Sequence, residues 1–205
     1  MNDRSPLIDE ALAAQLTELF GKLQTPVVLH AQLDDGPKSR EMETLLNHLS
    51  GLSDLLTWEK SPETDTLMPC TGIAPAGETP RMFFHGIPGG REIGSFAAAI
   101  LNAGGAGKPL DKYTLKDIGK IKKPMELQVC VSLGCHHCAQ LVAAAQRVAL
   151  ENPLVTAHMI DANLYPELVK SYQIERVPLL IVNREQTFPG GKTMAELTTL
   201  LAKIK

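Results

Sequence analysis

The same order of predicted helices and strands occurs twice along the chain, and this repeat limits the folds open to it more than any other feature. In each half a strand, a helix and a second strand precede a proline-led strand, a short partner strand, a Gly-Gly pair and a closing helix. The proline-led strands follow Pro69 and Pro178, and the glycine pairs are 89–90 and 190–191. A βαβ unit followed by a ββα unit forms a mixed sheet covered by helices. The pattern therefore predicts an α/β protein built from two such units in tandem.

The segment between the two halves is predicted to be a linker. Residues 104–108 are rich in glycine. A polar stretch with helical character follows them, and then a cluster of lysines at 120, 122 and 123, which we expect to be exposed to solvent. Segments of this composition usually connect compact units. We therefore predict a first unit over residues 1–105, a linker over 106–123 and a second unit over 124–205. Each unit has a mixed central sheet flanked by helices, and the two could share one continuous sheet.

Composition limits the binding partners and the cellular compartment that we expect for this protein. Hydrophobic residues make up 44% of the 205 residues and charged residues 21%, which is an ordinary globular balance. The formal net charge of -3 argues against a nucleic-acid partner, which favours a basic surface. The N-terminal stretch is acidic and amphipathic and lacks the apolar core of a secretory signal, and no run reaches the roughly 18 apolar residues of a membrane span. We expect a cytoplasmic protein without a membrane or nucleic-acid partner.

The sequence Gly134-Cys135-His136-His137-Cys138 carries the chemistry predicted for the second unit. In a reducing compartment two cysteines at this spacing are more often catalytic or metal-binding than structural. The motif is predicted to begin a helix, where unpaired N–H groups and the helix dipole stabilise a thiolate. We therefore predict that Cys135 is the nucleophile of a dithiol/disulfide oxidoreductase and that Cys138 resolves its mixed disulfides. Gly134, His136 and His137 are expected to contact the substrate.

Two other interpretations of this motif stay open on the sequence alone. Cys135, His137 and Cys138 could belong to a metal-binding module, although a structural zinc site usually adds a second ligand pair. None with that spacing occurs, so we expect no bound metal. A glutathione-dependent, glutaredoxin-type reductase could use the same cysteines, with Val177-Pro178 and the glycines at 190–191 lining a glutathione cleft. Two observations argue against a glutaredoxin. The two residues between the cysteines are not the Pro-Tyr that is usual there, and a glutaredoxin would not need the additional first unit.

The remaining two cysteines lack motif spacing. Cys130 lies on an apolar predicted strand, where a cysteine behaves as a small buried hydrophobic residue. Cys70 directly follows Pro69 and is expected to be a spare thiol, not a second redox centre.

Several stretches resemble the N-terminal tandem thioredoxin-like domain of the F subunit of alkyl hydroperoxide reductase, a member of the thioredoxin/glutaredoxin superfamily. In the first half the resemblance rests on residues 25–54, TPVVLHAQLDDGPKSREMETLLNHLSGLSD, and on Gly-Gly-Arg-Glu-Ile at 89–93. In the second half it rests on residues 131–153, which include the motif, on IDAN at 160–163 and on RVPLLIVN at 176–183. Together these stretches extend the resemblance over nearly the whole chain.

The resemblance implies a redox-silent first unit and a redox-active second unit, and no C-x-x-C occurs before Cys135. In the thioredoxin-like fold a cis-proline faces the cysteine pair, so Val177-Pro178 is expected to be cis and to contact the substrate. The plainer interpretation is a trans proline that begins a strand. Thioredoxin has a buried carboxylate where this chain has Val129. The resemblance points instead to Glu92 from the first unit as a catalytic acid, although Glu92 could simply charge the first turn of its helix.

The resemblance also implies the partners. The family domain accepts electrons from a flavin- and pyridine-nucleotide-binding reductase module and passes them to a two-cysteine peroxiredoxin. We expect no bound cofactor beyond a redox-active Cys135–Cys138 disulfide, with FAD and NAD(P)H on a flavin-dependent disulfide reductase. No G-x-G-x-x-G dinucleotide fingerprint occurs in the chain. The donor is therefore either a separate protein or another part of a longer polypeptide.

Overall fold

Helices and strands alternate through both halves of the chain. The structure is a computed structural model that describes residues 5–63 and 67–204, so the outer ends of the two predicted units, at 1 and 205, lie outside the described residues. The first half contains α1 (Glu10–Phe20), β1 (Val27–Gln32), α2 (Pro37–Ser50), β2 (Leu56–Lys60), β3 (Cys70–Pro75), β4 (Met82–His85) and α3 (Glu92–Ala103). A short helix, α4 (Lys112–Ile118), follows it. The second half contains β5 (Met125–Val131), α5 (Cys138–Glu151), β6 (Val155–Asp161), α6 (Pro166–Ser171), β7 (Leu179–Val182), β8 (Gln186–Pro189) and α7 (Met194–Leu201).

The strands of both halves form one eight-stranded mixed sheet, in the order β2-β1-β3-β4-β6-β5-β7-β8. In the first half β1 pairs parallel with β2 and antiparallel with β3, which pairs antiparallel with β4. The strands β5 to β8 repeat this arrangement. The halves join where β4 pairs parallel with β6, with Met82 opposite Ala157 and His85 opposite Ile160. The predicted α/β class and the continuous sheet are confirmed, whereas the unit boundaries at 105 and 123 remain predictions.

The larger of the two apolar clusters among the described residues spans the junction between the halves. Helices α3 and α5 pack against each other, and the core contains buried side chains from both halves. Phe84 in the junction strand β4 is fully buried and meets Phe96 of α3 edge to face, with ring centroids 4.8 Å apart. Because apolar burial is the main favourable term in folding, this shared core makes the stability of each half depend on the other.

The starts of two helices have local causes. Helix α1 starts at Glu10 because the Asp9 carboxylate accepts the N–H of Leu12 at 2.8 Å and caps the helix. Helix α5, expected from Cys135, starts at Cys138. Its first expected turn is a separate turn in which the N–H of Cys135 donates to Ser132 O at 2.9 Å. Cys135 therefore lies just before the helix, not in it.

The segment predicted as a linker is anchored to the second half. Its lysines are exposed, as expected for a solvated stretch. Ile118 and Ile121 are nevertheless buried, and the Asn152 side chain donates to both of their carbonyl oxygens, at 3.0 and 3.2 Å. Sequence polarity alone does not reveal these two anchoring positions.

Replacing Phe84 by alanine should destabilise both halves together, because this side chain fills the core at the junction of β4 and β6. We expect a loss of about 3–5 kcal/mol in the free energy of unfolding, the usual cost of truncating a buried phenylalanine. Urea unfolding would be followed by fluorescence of Trp58 in β2, the single tryptophan, and by peptide-resolved pulse labelling of Cys130 in β5. The two probes should share one midpoint, lowered equally in the variant. Separate midpoints would show that the halves unfold independently.

Candidate active site

The two motif cysteines form a disulfide where β5 leads into α5. Cys135 and Cys138 are bonded, with their Cα atoms 5.5 Å apart. Cys135 is partly exposed, whereas Cys138, the first residue of α5, is fully buried. His137 holds the N-cap position of α5 and makes no side-chain cap. The first N–H groups of the helix, with their partial positive charge, therefore lie at the disulfide, and only Cys135 is accessible to a large reactant.

The loop that precedes β7 lies close to the sulfur of Cys135. The Val177–Pro178 bond is cis, as predicted, and Sγ of Cys135 is 3.9 Å from the carbonyl oxygen of Val177. Pro178 is buried and Val177 partly exposed. The carbonyl oxygen of Pro178 accepts the N–H of Gly190 at 2.9 Å. This hydrogen bond joins the cis-proline loop to the glycine pair that follows β8.

The other predicted substrate-binding residues surround the disulfide. Gly134, His136 and His137 are all exposed. His137 packs closely against Gly191, where an added Cβ would lie 3.3 Å from the His137 Cβ. A side chain at position 191 would therefore press on the motif. Gly134, His136 and His137 therefore lie at the surface beside the partly exposed Cys135.

The first half forms the opposite wall of the site. The N–H of Arg91 donates to Leu133 O at 3.1 Å. Gly90 has a φ of 56°, and a Cβ built there would lie 2.6 Å from the same oxygen, so this close approach requires glycine. Nη2 of Arg91 lies 3.2 Å from Nε2 of His136. Arg91 and Leu133 were not predicted as site residues, although the Gly-Gly-Arg-Glu-Ile stretch was the signal that could have identified Arg91.

Glu92, the first residue of α3, is a fully buried acid. The Ser95 hydroxyl donates to Oε2 at 2.5 Å, and Oε1 has no hydrogen-bond partner within the part of the chain that the structure describes. Burial raises the pKa of Glu92 above its ordinary value of 4.5, the hydrogen bond from Ser95 lowers it, and the charge of Asp161 raises it further. A carboxyl group with raised proton affinity takes up a proton more readily than an ordinary carboxylate.

Glu92 and Cys138 hold corresponding positions at the starts of two neighbouring helices. Each is the first residue of its helix, α3 or α5, each is fully buried, and the two helices pack together. Asp161, which the sequence analysis did not select, ends β6 opposite Val131 and is also buried. Its Oδ1 accepts the N–H of Asn163 at 3.1 Å. The IDAN stretch, quoted only for the family resemblance, contains this second acid.

The other two cysteines are buried thiols outside the disulfide. Burial raises the pKa of Cys130 to about 12, so this thiol is not a nucleophile at neutral pH. Cys70 begins β3 after a second cis bond, Met68–Pro69, and its Sγ lies 3.9 Å from Nε2 of His85. Val129 is buried in β5, so this strand supplies no carboxylate at the position that holds one in thioredoxin.

Metal-binding clusters and membrane-spanning helices are both absent from residues 5–63 and 67–204. No group of three or more histidine, cysteine, aspartate or glutamate side chains there is arranged to hold a metal ion. In the same ranges no helix is both long and apolar enough to cross a membrane.

Comparisons with known proteins agree with this architecture. A sequence model of the family described as thioredoxin domain matches residues 125–202. A protein disulfide oxidoreductase from Aeropyrum pernix shares the fold, with a TM-score of 0.82 at 19% identity over 95% of this chain and 92% of that chain. With the Cys135–Cys138 disulfide beside its cis-proline, these findings define the class: a protein of the thioredoxin fold with a Cys-x-x-Cys disulfide.

Closer relatives identify the family within this class. The crystal structure of the N-terminal domain of alkyl hydroperoxide reductase AhpF from Enterococcus faecalis matches with a TM-score of 0.89 and 34% identity, covering 95% of this chain and 99% of that chain. The F subunit of alkyl hydroperoxide reductase from Pseudomonas aeruginosa is 33% identical over 97% of this chain. The chain spans 37% of the length of that relative. The chain belongs to the family of N-terminal domains of the alkyl hydroperoxide reductase F subunit, which confirms the predicted resemblance.

Replacing Glu92 by glutamine should stabilise the protein increasingly as the pH rises. Because its pKa is raised in the folded state, Glu92 contributes most to stability below pH 4.5 and loses that contribution as the pH rises through the raised pKa. Glutamine cannot ionise, so the urea midpoint of Glu92→Gln should match that of the wild type near pH 4 and exceed it at pH 8.

Glu196 provides a control of the opposite sign. Hydrogen bonds with Thr193 lower its pKa, so Glu196→Gln should lose stability relative to the wild type over the same rise in pH. A difference between Glu92→Gln and the wild type that stays constant from pH 4 to pH 8 would contradict a raised pKa for Glu92.

Proposed function

We propose that the protein relays electron pairs from a flavin-dependent disulfide reductase to a two-cysteine peroxiredoxin or another protein disulfide in the cytoplasm. The observation that carries the proposal is the Cys135–Cys138 disulfide, with one sulfur partly exposed beside the Val177 carbonyl and the other fully buried. Its similarity to F subunits of alkyl hydroperoxide reductase supports this role. FAD and NAD(P)H belong to the donor reductase, which acts in cis or in trans.

The exchange requires the two cysteines to act in sequence. In the reduced protein the Cys135 thiolate attacks one sulfur of the partner disulfide, and the other partner sulfur leaves as a thiolate. Cys138 then loses its proton and attacks Sγ of Cys135, which releases the second partner sulfur. The protein becomes a disulfide and the partner a dithiol, so two electrons have moved. A dithiol on the donor reductase returns the electrons by the same two steps.

Glu92 is the proton acceptor in this scheme. When Cys138 attacks, its thiol proton must leave a fully buried position, where bulk water cannot readily collect it. The raised pKa of Glu92 and the unpartnered Oε1 suit it to take this proton and to return it when the disulfide is reduced again. Ser95 fixes the other carboxylate oxygen.

The partner binds over the exposed rim of the disulfide. The partly exposed Val177, which precedes the buried Pro178, forms one side of this rim, and Gly134, His136 and His137 form the other. The Val177 carbonyl oxygen lies 3.9 Å from the attacking sulfur, so the partner segment that carries the disulfide lies against it. A protein substrate fits this open rim better than a tripeptide such as glutathione, which binds in an enclosing cleft.

Single-cysteine variants test the relay and the order of attack. Reduced Cys138→Ser should accumulate a near-stoichiometric mixed disulfide with an oxidised two-cysteine peroxiredoxin, because Cys135 attacks and nothing resolves the product. Cys135→Ser should form none, and Cys130→Ser should turn over like the wild type because Cys130 is a protonated buried thiol. Mass spectrometry of non-reduced protein identifies the adducts.

The donor is tested with the wild-type protein. Peroxiredoxin reduction should proceed with NAD(P)H and a flavin-dependent disulfide reductase and should not proceed with glutathione and glutathione reductase. An adduct on Cys138 in the Cys135→Ser variant would overturn the order of attack. Turnover supported by glutathione alone would favour the glutaredoxin-type alternative.

A further inference from the structure

The two halves meet at the motif through a side-chain contact that the exchange scheme does not use. Nη2 of Arg91, at the start of α3, lies 3.2 Å from Nε2 of His136, the residue after Cys135. The backbone holds this contact in place, because the N–H of Arg91 donates to Leu133 O and Gly90 allows the two chains to approach. Arg91 is therefore fixed beside the motif by its own main chain.

The chemistry of the two groups sets the protonation state of His136 in this contact. A guanidinium group stays protonated and has only N–H donors, with no acceptor. Nε2 of His136 must therefore accept the hydrogen bond with its lone pair. The imidazole is then neutral and carries its proton on Nδ1, since the hydrogen bond made by one ring nitrogen decides which nitrogen is protonated.

We propose that Arg91 is a positioning residue of the redox site, which holds His136 as a neutral Nδ1–H imidazole and supplies a permanent positive charge beside the Cys135–Cys138 pair. This inference deepens the proposed function and rests on it. The positive charge that His136 could have supplied on protonation thus comes from an arginine of the first half. A guanidinium does not lose its charge in the physiological pH range, whereas a histidine does.

The charge favours the reactive form of the nucleophile. A cation near a cysteine stabilises its thiolate, so Arg91 increases the thiolate fraction of reduced Cys135. Two further basic residues belong to the neighbouring loops: Lys192 donates through Nζ to the carbonyl oxygens of Pro189 and Gly190 at 3.1 and 3.2 Å, and the exposed Arg176 directly precedes Val177. Because Arg91 and His136 are exposed, solvent limits the effect to about two- to fivefold in an equilibrium constant, and salt weakens it.

Three substitutions separate the charge from the hydrogen bond. Arg91→Lys keeps the charge, Arg91→Gln keeps an N–H donor without the charge, and Arg91→Met removes both. Lys60→Gln is the matched control for net charge, because Lys60 is exposed in β2, five strand positions from β5 in the sheet. At the usual strand spacing this is about 24 Å, well beyond the Debye length of about 8 Å at physiological salt.

Two measurements on the full chain test the inference. The first is the alkylation rate of Cys135 in the reduced protein at pH 7. It should fall about threefold in Arg91→Gln and Arg91→Met, remain near wild type in Arg91→Lys and Lys60→Gln, and show a smaller difference in 1 M salt. The second is the nitrogen-15 NMR spectrum of the His136 ring at pH 8, which should show Nδ1–H in the wild type and a shift toward Nε2–H in Arg91→Met.

The results that would contradict the role of Arg91 differ from the result that would contradict the proposed function. Equal alkylation rates in the wild type, Arg91→Gln and Arg91→Met, or an unchanged His136 tautomer in Arg91→Met, would overturn the role of Arg91 while the relay itself still operates. An unreactive Cys135 in the reduced wild-type protein would instead contradict the proposed function. Circular dichroism and the Trp58 fluorescence midpoint should match the wild type in every variant, because Arg91 is exposed.

Discussion

The parallel pairing of β4 with β6 is the contact on which the rest of the structure depends. It joins two four-stranded arrangements of the same internal order into one sheet. Once those strands are paired, helices α3 and α5 pack against each other and bury their apolar sides in one core. Their N-terminal ends then come to the same region of the molecule. The redox motif lies at one of these ends and the Gly-Gly-Arg-Glu turn at the other.

In the mechanism that we propose, this arrangement gives the cysteine-poor first half a chemical role. The strand that precedes the motif has Val129 where a carboxylate would serve the buried cysteine. The first half supplies Glu92 instead, in a setting that raises its proton affinity, and adds the backbone of Gly90 and the charge of Arg91 around the motif. In our account the second half carries the sulfur atoms, and the first half controls the protons and charges around them.

Local sequence signals predicted most of the fold because most elements have local causes. Alternating apolar runs, helical periodicity and the proline and Gly-Gly breaks gave the element order of both halves, and the Cys-x-x-Cys spacing gave the disulfide. The start of α5 was wrong by three residues, since the hydrogen bond from Cys135 to Ser132 O competes with the first helical turn. The spacing of apolar residues along the sequence does not show which carbonyl oxygen a backbone N–H will choose, so it does not fix the first residue of a helix.

The contacts between the halves were harder to predict. The Arg91–His136 pair joins residues far apart in sequence, and Asp161 raises the pKa of Glu92 only because β6 lies at the junction. Glu92 itself was selected by family resemblance, since a single acid at a helix start has an ordinary explanation in the helix dipole. What distinguishes it is its complete burial, which depends on the packing of α3 against α5.

The most direct test of this account is the rate of the resolving step in Glu92→Gln. Reduced protein would be mixed with an oxidised peroxiredoxin in a rapid-quench experiment, and mixed disulfide and product would be followed separately between pH 6 and pH 8. We expect formation of the mixed disulfide at the wild-type rate and its resolution by Cys138 to be slower by about 10²-fold, the lower range for loss of a general base. A resolving step as fast as that of the wild type across this range would show that Glu92 takes no proton from Cys138, and that the first half does not take part in the chemistry as described.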